Sequence, residues 1–275
     1  MPFGPLFGVS VLAGLVGALS GMGGGVVLIP VLTLVGVDIK HAIAISNLSV
    51  IAISNSAAPG YVRRHMPSFS TGAFLEPFAV IGAFGGALLT LISSQRPLFI
   101  LCGLVLLSSC TILWRRRHGP QNLPGRQDAW SRGLRLEGSY YDEAEQRTIA
   151  YRGHRALLSA GLMMAAGAVT GLLGIGGSAL VVLICDLVMG LPSKVALTTS
   201  SLMIGAVAVA GADVYLETGL INVSLVVPMV LGVPVGAFLG TRLLIHLDNQ
   251  ITRGIFLGVL VILGLEMVLH GLGKF

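Results

Sequence analysis

The sequence predicts an all-α integral membrane protein made of two repeated halves, each with about four transmembrane helices. Composition is the first reason, because 54% of the 275 residues are hydrophobic and only 11% are charged, whereas soluble domains carry about 25% charged residues. The second reason is a glycine cluster inside an apolar run in each half. The third is an internal duplication that includes both clusters. Because glycine is a poor helix former, each cluster predicts a break in the first segment of its half.

Apolar runs near the roughly 20 residues needed to cross a bilayer divide the chain into three parts. Residues 1–114 are the predicted first membrane repeat, residues 115–153 a linker loop and residues 154–275 the second repeat. The first segment, residues 3–37, would extend about 50 Å as one straight helix, which exceeds a hydrocarbon core of about 30 Å. It is therefore either strongly broken at the glycines or a hairpin of two short arms.

The linker is the most charged part of the chain. The stretch from Arg115 to Arg155 has nine arginines and five acidic residues. Next to membrane spans, a basic loop indicates the cytoplasmic side, and this interpretation is favoured over nucleic-acid binding. The composition predicts a partly disordered linker, in which the tail from Asp142 to Arg147 could form a short surface helix.

The two halves align with each other over most of their length. Gly21–Gly25 aligns with Gly174–Ser178, and Lys40–Leu48 matches Lys194–Leu202 after one inserted residue. Duplicated halves are typical of secondary transporters, in which the substrate site lies at the repeat interface. The duplication therefore favours a transporter over a receptor or a purely structural protein.

Charge placement distinguishes two topologies for these halves. If each broken segment is a hairpin, the halves are inverted, and Arg63, the linker, Arg242 and Arg253 all lie inside. If each broken segment crosses once, the halves are parallel, and Arg242 and Arg253 lie outside. The positive-inside rule favours the inverted arrangement.

The glycine clusters are candidates for substrate binding through their backbone. Neither cluster fits a nucleotide-binding loop, because there is no lysine followed by Ser or Thr and no strand–turn–helix context. In transporters, interrupted helices direct the N–H groups at half-helix N-termini towards anions. Close helix packing through small residues is the alternative explanation.

These motifs resemble the TauE/SafE family of sulfite exporters. The resemblance rests on Gly21-Met22-Gly23-Gly24-Gly25 with Pro30, on Gly174-Ile175-Gly176-Gly177-Ser178 and on the duplicated lysine segments, and it covers nearly all of the chain except the linker. The second copy differs, since Ser178 replaces the third glycine and Leu183 stands where Pro30 does. The resemblance implies a transporter of sulfite, organosulfonates or related small anions in the cytoplasmic membrane, by efflux or uptake. The alternative is an anion channel, or a permease for another small anionic metabolite.

Polar residues follow each cluster at matching positions. Hydroxyl and amide groups can donate to a sulfonate oxygen without the burial cost of a full charge, although hydroxyls also bond within or between helices. The predicted substrate-binding residues are Gly23, Gly24, Gly25, Ser46, Asn47, Gly176, Gly177, Ser178, Thr199, Ser200 and Ser201.

Asp186 is the predicted proton-coupling residue, because a carboxylate inside an apolar run is a functional candidate.

The sequence shows no nucleophile–base pair and no metal-ligand spacing, so we expect no enzyme activity, no metal and no cofactor. The expected partners are a small anion and the lipid bilayer, without nucleic acid, and a homo-oligomer is left open.

Overall fold

The protein is described by a computed structural model that is mostly α-helical. The structure describes residues 3–20, 25–62, 66–115, 128–134, 136–142, 147–174, 178–221, 223–244 and 249–273. In the first half, the described helices are α1 (Phe3–Ser20), α2 (Gly25–Leu34), α3 (Ile39–Val62), α4 (Phe69–Ile92) and α5 (Gln95–Arg115).

The linker and the second half follow the same chain order. The linker contains α6 (Ala129–Gly133) and strands β1 (Glu137–Asp142) and β2 (Arg147–Arg152). The second half contains α7 (Ala156–Leu173), α8 (Ser178–Leu183), a π-helical turn (Ile184–Val188), α9 (Ser193–Glu217), α10 (Val223–Leu244) and α11 (Asn249–Gly271).

Several helices have membrane-spanning character. Within the described ranges, four are long and apolar enough to cross a bilayer: Phe69–Ile92, Ala156–Leu173, Lys194–Glu217 and Val223–Gly240. Shorter apolar helices cover Gly4–Leu15, Gln95–Ser108 and Val261–Gly271. The predicted all-α membrane architecture is confirmed at this level.

Helices end and begin on either side of both glycine clusters. α1 ends at Ser20 and α2 begins at Gly25. α7 ends at Leu173, and Gly174 caps it with a φ of +61°, a left-handed conformation that favours glycine. The predicted breaks themselves fall on residues 21–24 and 175–177, which lie outside the described residues.

Two tight helix pairs join the halves through small residues. In the α4–α7 pair, the hydroxyl of Thr90 donates to the carbonyl of Leu172 at 2.8 Å, and Gly82 lies against Met164. In the α1–α10 pair, the hydroxyl of Ser10 donates to the carbonyl of Pro228. Residue numbers rise together along both contacts, so the helices of each pair run parallel. Glycine at such crossings lets two backbones approach closely.

Two other pairs between the halves run antiparallel. In the α3–α9 pair, Asn47 lies against Gly211, whereas Ser54 lies against Gly205. In the α5–α11 pair, the ring of Phe99 stacks on His270, and Leu107 contacts Gly264. Residue numbers rise on one helix while they fall on the other in both pairs.

The second broken segment returns to the side of the molecule on which it begins. The backbone N–H of His154, two residues before α7, donates to the carbonyl of Met189, directly after the π-helical turn, at 3.1 Å. The start of α7 and the end of the π-helical turn are therefore adjacent.

The linker is more ordered than its composition suggested. β1 and β2 form an antiparallel hairpin that pairs Glu137 with Arg152 and Asp142 with Arg147. The predicted surface helix over 142–147 is therefore wrong, because its two ends belong to strands. Tyr140 and Tyr151 are buried in the same apolar cluster as Met189 of the second half. Apolar side chains on one face of the hairpin thus dock it onto the helices.

Polar contacts also hold the linker in place. Burial raises the pKa of Tyr151, and a hydrogen bond with Ser68 partly offsets this effect. Asp128 precedes α6 and accepts hydrogen bonds from the hydroxyl of Ser131 and the backbone N–H of Arg155. These donors lower the pKa of Asp128, with Ser131 the largest contributor.

Candidate functional site

The candidate site lies where α3 and α9 cross between the two halves. Val50 of α3 packs with Ile204 and Ala208 of α9 in a small buried cluster. Close by, the hydroxyl of Ser54 donates to the carbonyl of Ser201 at 2.9 Å. Between Lys40 and Val62 on α3 the only ionisable side chains are His41 near the start and Tyr61 near the end, and α9 has none between Lys194 and Asp213. The crossing therefore lacks full charges but carries hydrogen-bonding groups.

Asn47 is the most unusual residue of this crossing. Its side chain is fully buried, and neither its amide nitrogen nor its oxygen has a hydrogen-bond partner among the residues that the structure describes. An unpaired buried amide costs about 1–3 kcal/mol, so such groups are rare in folded proteins. An unpaired amide inside a packed helix crossing makes Asn47 a candidate for binding a ligand.

Gly211 on α9 makes room for this amide. A Cβ added at Gly211 would lie 2.5 Å from the Nδ2 atom of Asn47, a distance too short for two non-bonded atoms. Only glycine leaves the Asn47 side chain in its present position.

Ser46 connects α3 to the second glycine cluster. Its hydroxyl donates to the carbonyl of Gly174 at 2.7 Å, and a Cβ at Gly174 would lie 2.5 Å from the carbonyl oxygen of Ile43. Gly174, the first residue of the second glycine cluster, therefore packs against α3 of the first half. Ser46 and the start of this cluster, predicted separately, lie together.

The predicted residues on α9 all have hydrogen-bond partners within the protein. Thr199 accepts a hydrogen bond from the backbone N–H of Ser68 at 2.9 Å. Ser200 and Ser201 both donate to the carbonyl of Leu197, at 2.8 and 2.9 Å. Their hydroxyl protons are therefore used within the helix, the pattern that the alternative interpretation anticipated.

The structure separates these serines from Asn47. Asn47 lies against Gly211, ten residues beyond Ser201 on α9, which corresponds to about 15 Å along the helix. Asn47 and Ser201 occupy matching positions in the two halves, but the antiparallel crossing places them on opposite sides of its centre. The described residues therefore form two small polar sites rather than one.

The structure describes only the edges of the two glycine clusters. Gly25 is buried and begins α2, and Ser178 begins α8. Gly23, Gly24, Gly176 and Gly177 lie outside the described residues, so their predicted role stays a prediction.

Asp186 lies in the π-helical turn and is partly buried beside the fully buried Cys185. π-Helical turns are often found at functional sites. No group of three or more His, Cys, Asp or Glu residues in the described ranges could hold a metal ion.

Tyr215 is a buried polar residue that the sequence analysis did not include in the site. Its hydroxyl donates to the carbonyl of Gly171 at 2.6 Å and lies 3.0 Å from the hydroxyl of Thr90. These contacts tie α9 to the last turn of α7, just before the second glycine cluster. Tyr61 occupies the matching position in the first half. This repetition of a tyrosine could have identified Tyr215 from the sequence.

Comparison with known proteins provides an independent indication of function. The family model described as "Sulfite exporter TauE/SafE" matches residues 6–267. A protein of Bacillus subtilis (strain 168), described as "Probable membrane transporter protein YunE", is 24% identical over 282 residues, which covers 99% of each chain. No solved structure matches this chain.

Proposed function

This chain belongs to the TauE/SafE sulfite exporter family, and from that membership and the geometry of the α3–α9 crossing we propose that it is a secondary transporter of small sulfur-containing anions. Sulfite and organosulfonates are the proposed substrates, and the cytoplasmic membrane is the proposed location. The family match over nearly the whole chain supports transport, and the chemistry of the site supports an anion.

The observation that carries this proposal is the unpaired amide of Asn47. An Asn side chain offers two N–H donors without a positive charge, so it can bind an anion oxygen weakly enough for release. Transport requires this balance, because a site that holds its ligand too tightly does not let it leave. Ser46, next to Asn47 on α3, donates to the carbonyl of Gly174, and we propose that backbone N–H groups of Gly176, Gly177 and Ser178 complete the site.

We further propose that the two halves are inverted repeats. The antiparallel α3–α9 and α5–α11 pairs support this arrangement, because these helices occupy matching positions in the two halves. Val50 and Ile204, which also match, meet at the α3–α9 crossing. The adjacent ends of the segment from α7 to the π-helical turn support a hairpin rather than a single crossing.

Anion counterflow in proteoliposomes tests the proposed function. We expect vesicles preloaded with sulfite to take up external labelled sulfite, with a rate that saturates, and to show competition by sulfoacetate and thiosulfate. The uptake rate saturates because each transport cycle must fill and empty one binding site. High unitary conductance without saturation would favour an anion channel instead. No flux of any of these anions would contradict the proposal.

Thiol labelling tests the inverted topology. In a variant without native cysteines, Asp213→Cys is expected to react with an impermeant reagent from outside intact cells, whereas Arg132→Cys in the linker is not. Both positions are exposed in the structure, and Arg132 lies outside the candidate membrane helices, so a failure of Arg132→Cys to react reports the membrane side. Labelling of both positions from the same side would favour parallel halves.

A further inference from the structure

We propose that Glu266 on α11 is a proton-binding site that couples anion transport to the proton gradient, with His270 connecting it to the nearby aqueous side. This inference rests on the proposed transport function. The sequence alone favours Asp186 for this role, but the two carboxylates differ in their surroundings.

Glu266 has one carboxylate oxygen that is buried and unpaired. Its Oε2 atom has no hydrogen-bond partner among the described residues, and Leu263 and Met267 beside it are buried. A carboxylate with one buried, unpaired oxygen is more costly to keep charged than a fully solvated one, and binding a proton removes that charge. Asp186, in contrast, has an interaction partner in the structure.

His270 lies one helical turn after Glu266 and close to the end of α11. Its ring stacks on Phe99 of α5, with 4.6 Å between the ring centres. Gly271 ends the helix, so Glu266 lies only about 8 Å from that end. An imidazole ring can both donate and accept a proton, so His270 is placed to pass protons between that end of the helix and Glu266.

Among the described residues, no lysine or arginine acts on the Glu266 carboxylate, and His270 is the charged group that does. Cys102 of α5 lies within electrostatic reach of the carboxylate, and Arg96 is exposed at the start of α5. α1 and α2 contain no titratable residue. On α11 itself, Arg253 is 13 residues away, or about 20 Å along the helix. Binding a proton therefore neutralises Glu266 without a lysine or arginine partner among the described residues.

α11 also contacts the helix that follows the first glycine cluster. Leu28 and Leu32 of α2 lie in the same buried cluster as Leu263 and Met267 of α11. The proposed step is the addition of one proton to the carboxylate, which gives the neutral acid and consumes no other reactant. The resulting loss of charge alters the packing of α11 and α2, which share this buried cluster with Ile43 and Ile45 of α3.

The test is sulfoacetate transport in proteoliposomes with and without an imposed pH gradient. Sulfoacetate keeps a constant charge between about pH 5.5 and 8 because its carboxyl and sulfonate groups are fully ionised there, so a pH effect on transport does not come from the substrate. We expect the gradient to drive transport by the wild-type protein. In Glu266→Gln, which resembles the protonated acid, we expect at least a tenfold loss of gradient-driven transport while counterflow at equal pH continues.

Three variants make this result specific. Glu76→Gln removes another carboxylate from a membrane helix, and Asp186→Asn removes the one indicated by the sequence; both are expected to keep the gradient response. Glu266→Asp retains a titrating group and is expected to respond at a shifted pH. A wild-type gradient response in Glu266→Gln would overturn the proposal. Absence of counterflow in the wild-type protein would instead overturn the transport function on which it rests.

Discussion

Replacing Asn47 by leucine is expected to abolish anion transport without lowering thermal stability. The amide is fully buried and has no partner among the described residues, so it already costs about 1–3 kcal/mol of stability. An apolar side chain of similar shape removes this cost together with the proposed anion donor. Transport per folded molecule and the melting temperature, measured on the same preparation, separate the two effects.

Ser49→Ala is the matched control on the same helix. Ser49 is also fully buried, but its hydroxyl donates to the carbonyl of Ile45 within α3 at 3.0 Å, so its loss is expected to leave transport intact. If Asn47→Leu melted at a clearly lower temperature and transported normally per folded molecule, Asn47 would have a structural role only.

Replacing Gly167 by valine is expected to prevent folding. A Cβ at Gly167 would collide with the carbonyl oxygen of Ala79 and lie 2.9 Å from its carbonyl carbon and Cα. These are backbone atoms, so no side-chain rotation relieves the contact, and α4 and α7 must separate. Overpacking usually costs about 1–3 kcal/mol, and separation of a tight helix pair costs more. Size-exclusion chromatography and thermal melting measure the loss of folded protein.

Gly161→Val on the same helix is the matched control. No atom lies within 4 Å of a Cβ at Gly161, and both substitutions carry the same change in helix propensity. Equal melting temperatures for the two variants would show that the α4–α7 contact does not determine stability.

Much of the fold could be predicted from the sequence because membrane helices follow from local composition. The ends of α1 and α7 fall beside the glycine clusters, where the low helix propensity of glycine predicted them. The hairpin in the linker was missed because its apolar side chains, Tyr140 and Tyr151, stand within a stretch of charged residues. Their burial depends on contacts with Met189 and its neighbours, which no local pattern reveals.

The candidate site could be predicted only in part. Asn47 and Ser46 were identified because an amide and a hydroxyl inside an apolar helix are informative by themselves. The importance of Gly211 depends on the register of the α3–α9 crossing, and the use of the Ser200 and Ser201 hydroxyls depends on their rotamers. Neither can be deduced from residue spacing.

We propose above all that an anion binds beside Asn47, where α3 and α9 cross. Equilibrium binding of sulfite to purified Gly211→Ala protein tests this most directly, because the added Cβ must displace the Asn47 amide. Gly85→Ala is the control, since a Cβ at Gly85 meets no atom within 4 Å. We predict at least tenfold weaker sulfite binding in Gly211→Ala and wild-type binding in Gly85→Ala. Unchanged affinity in a folded Gly211→Ala protein would contradict the account.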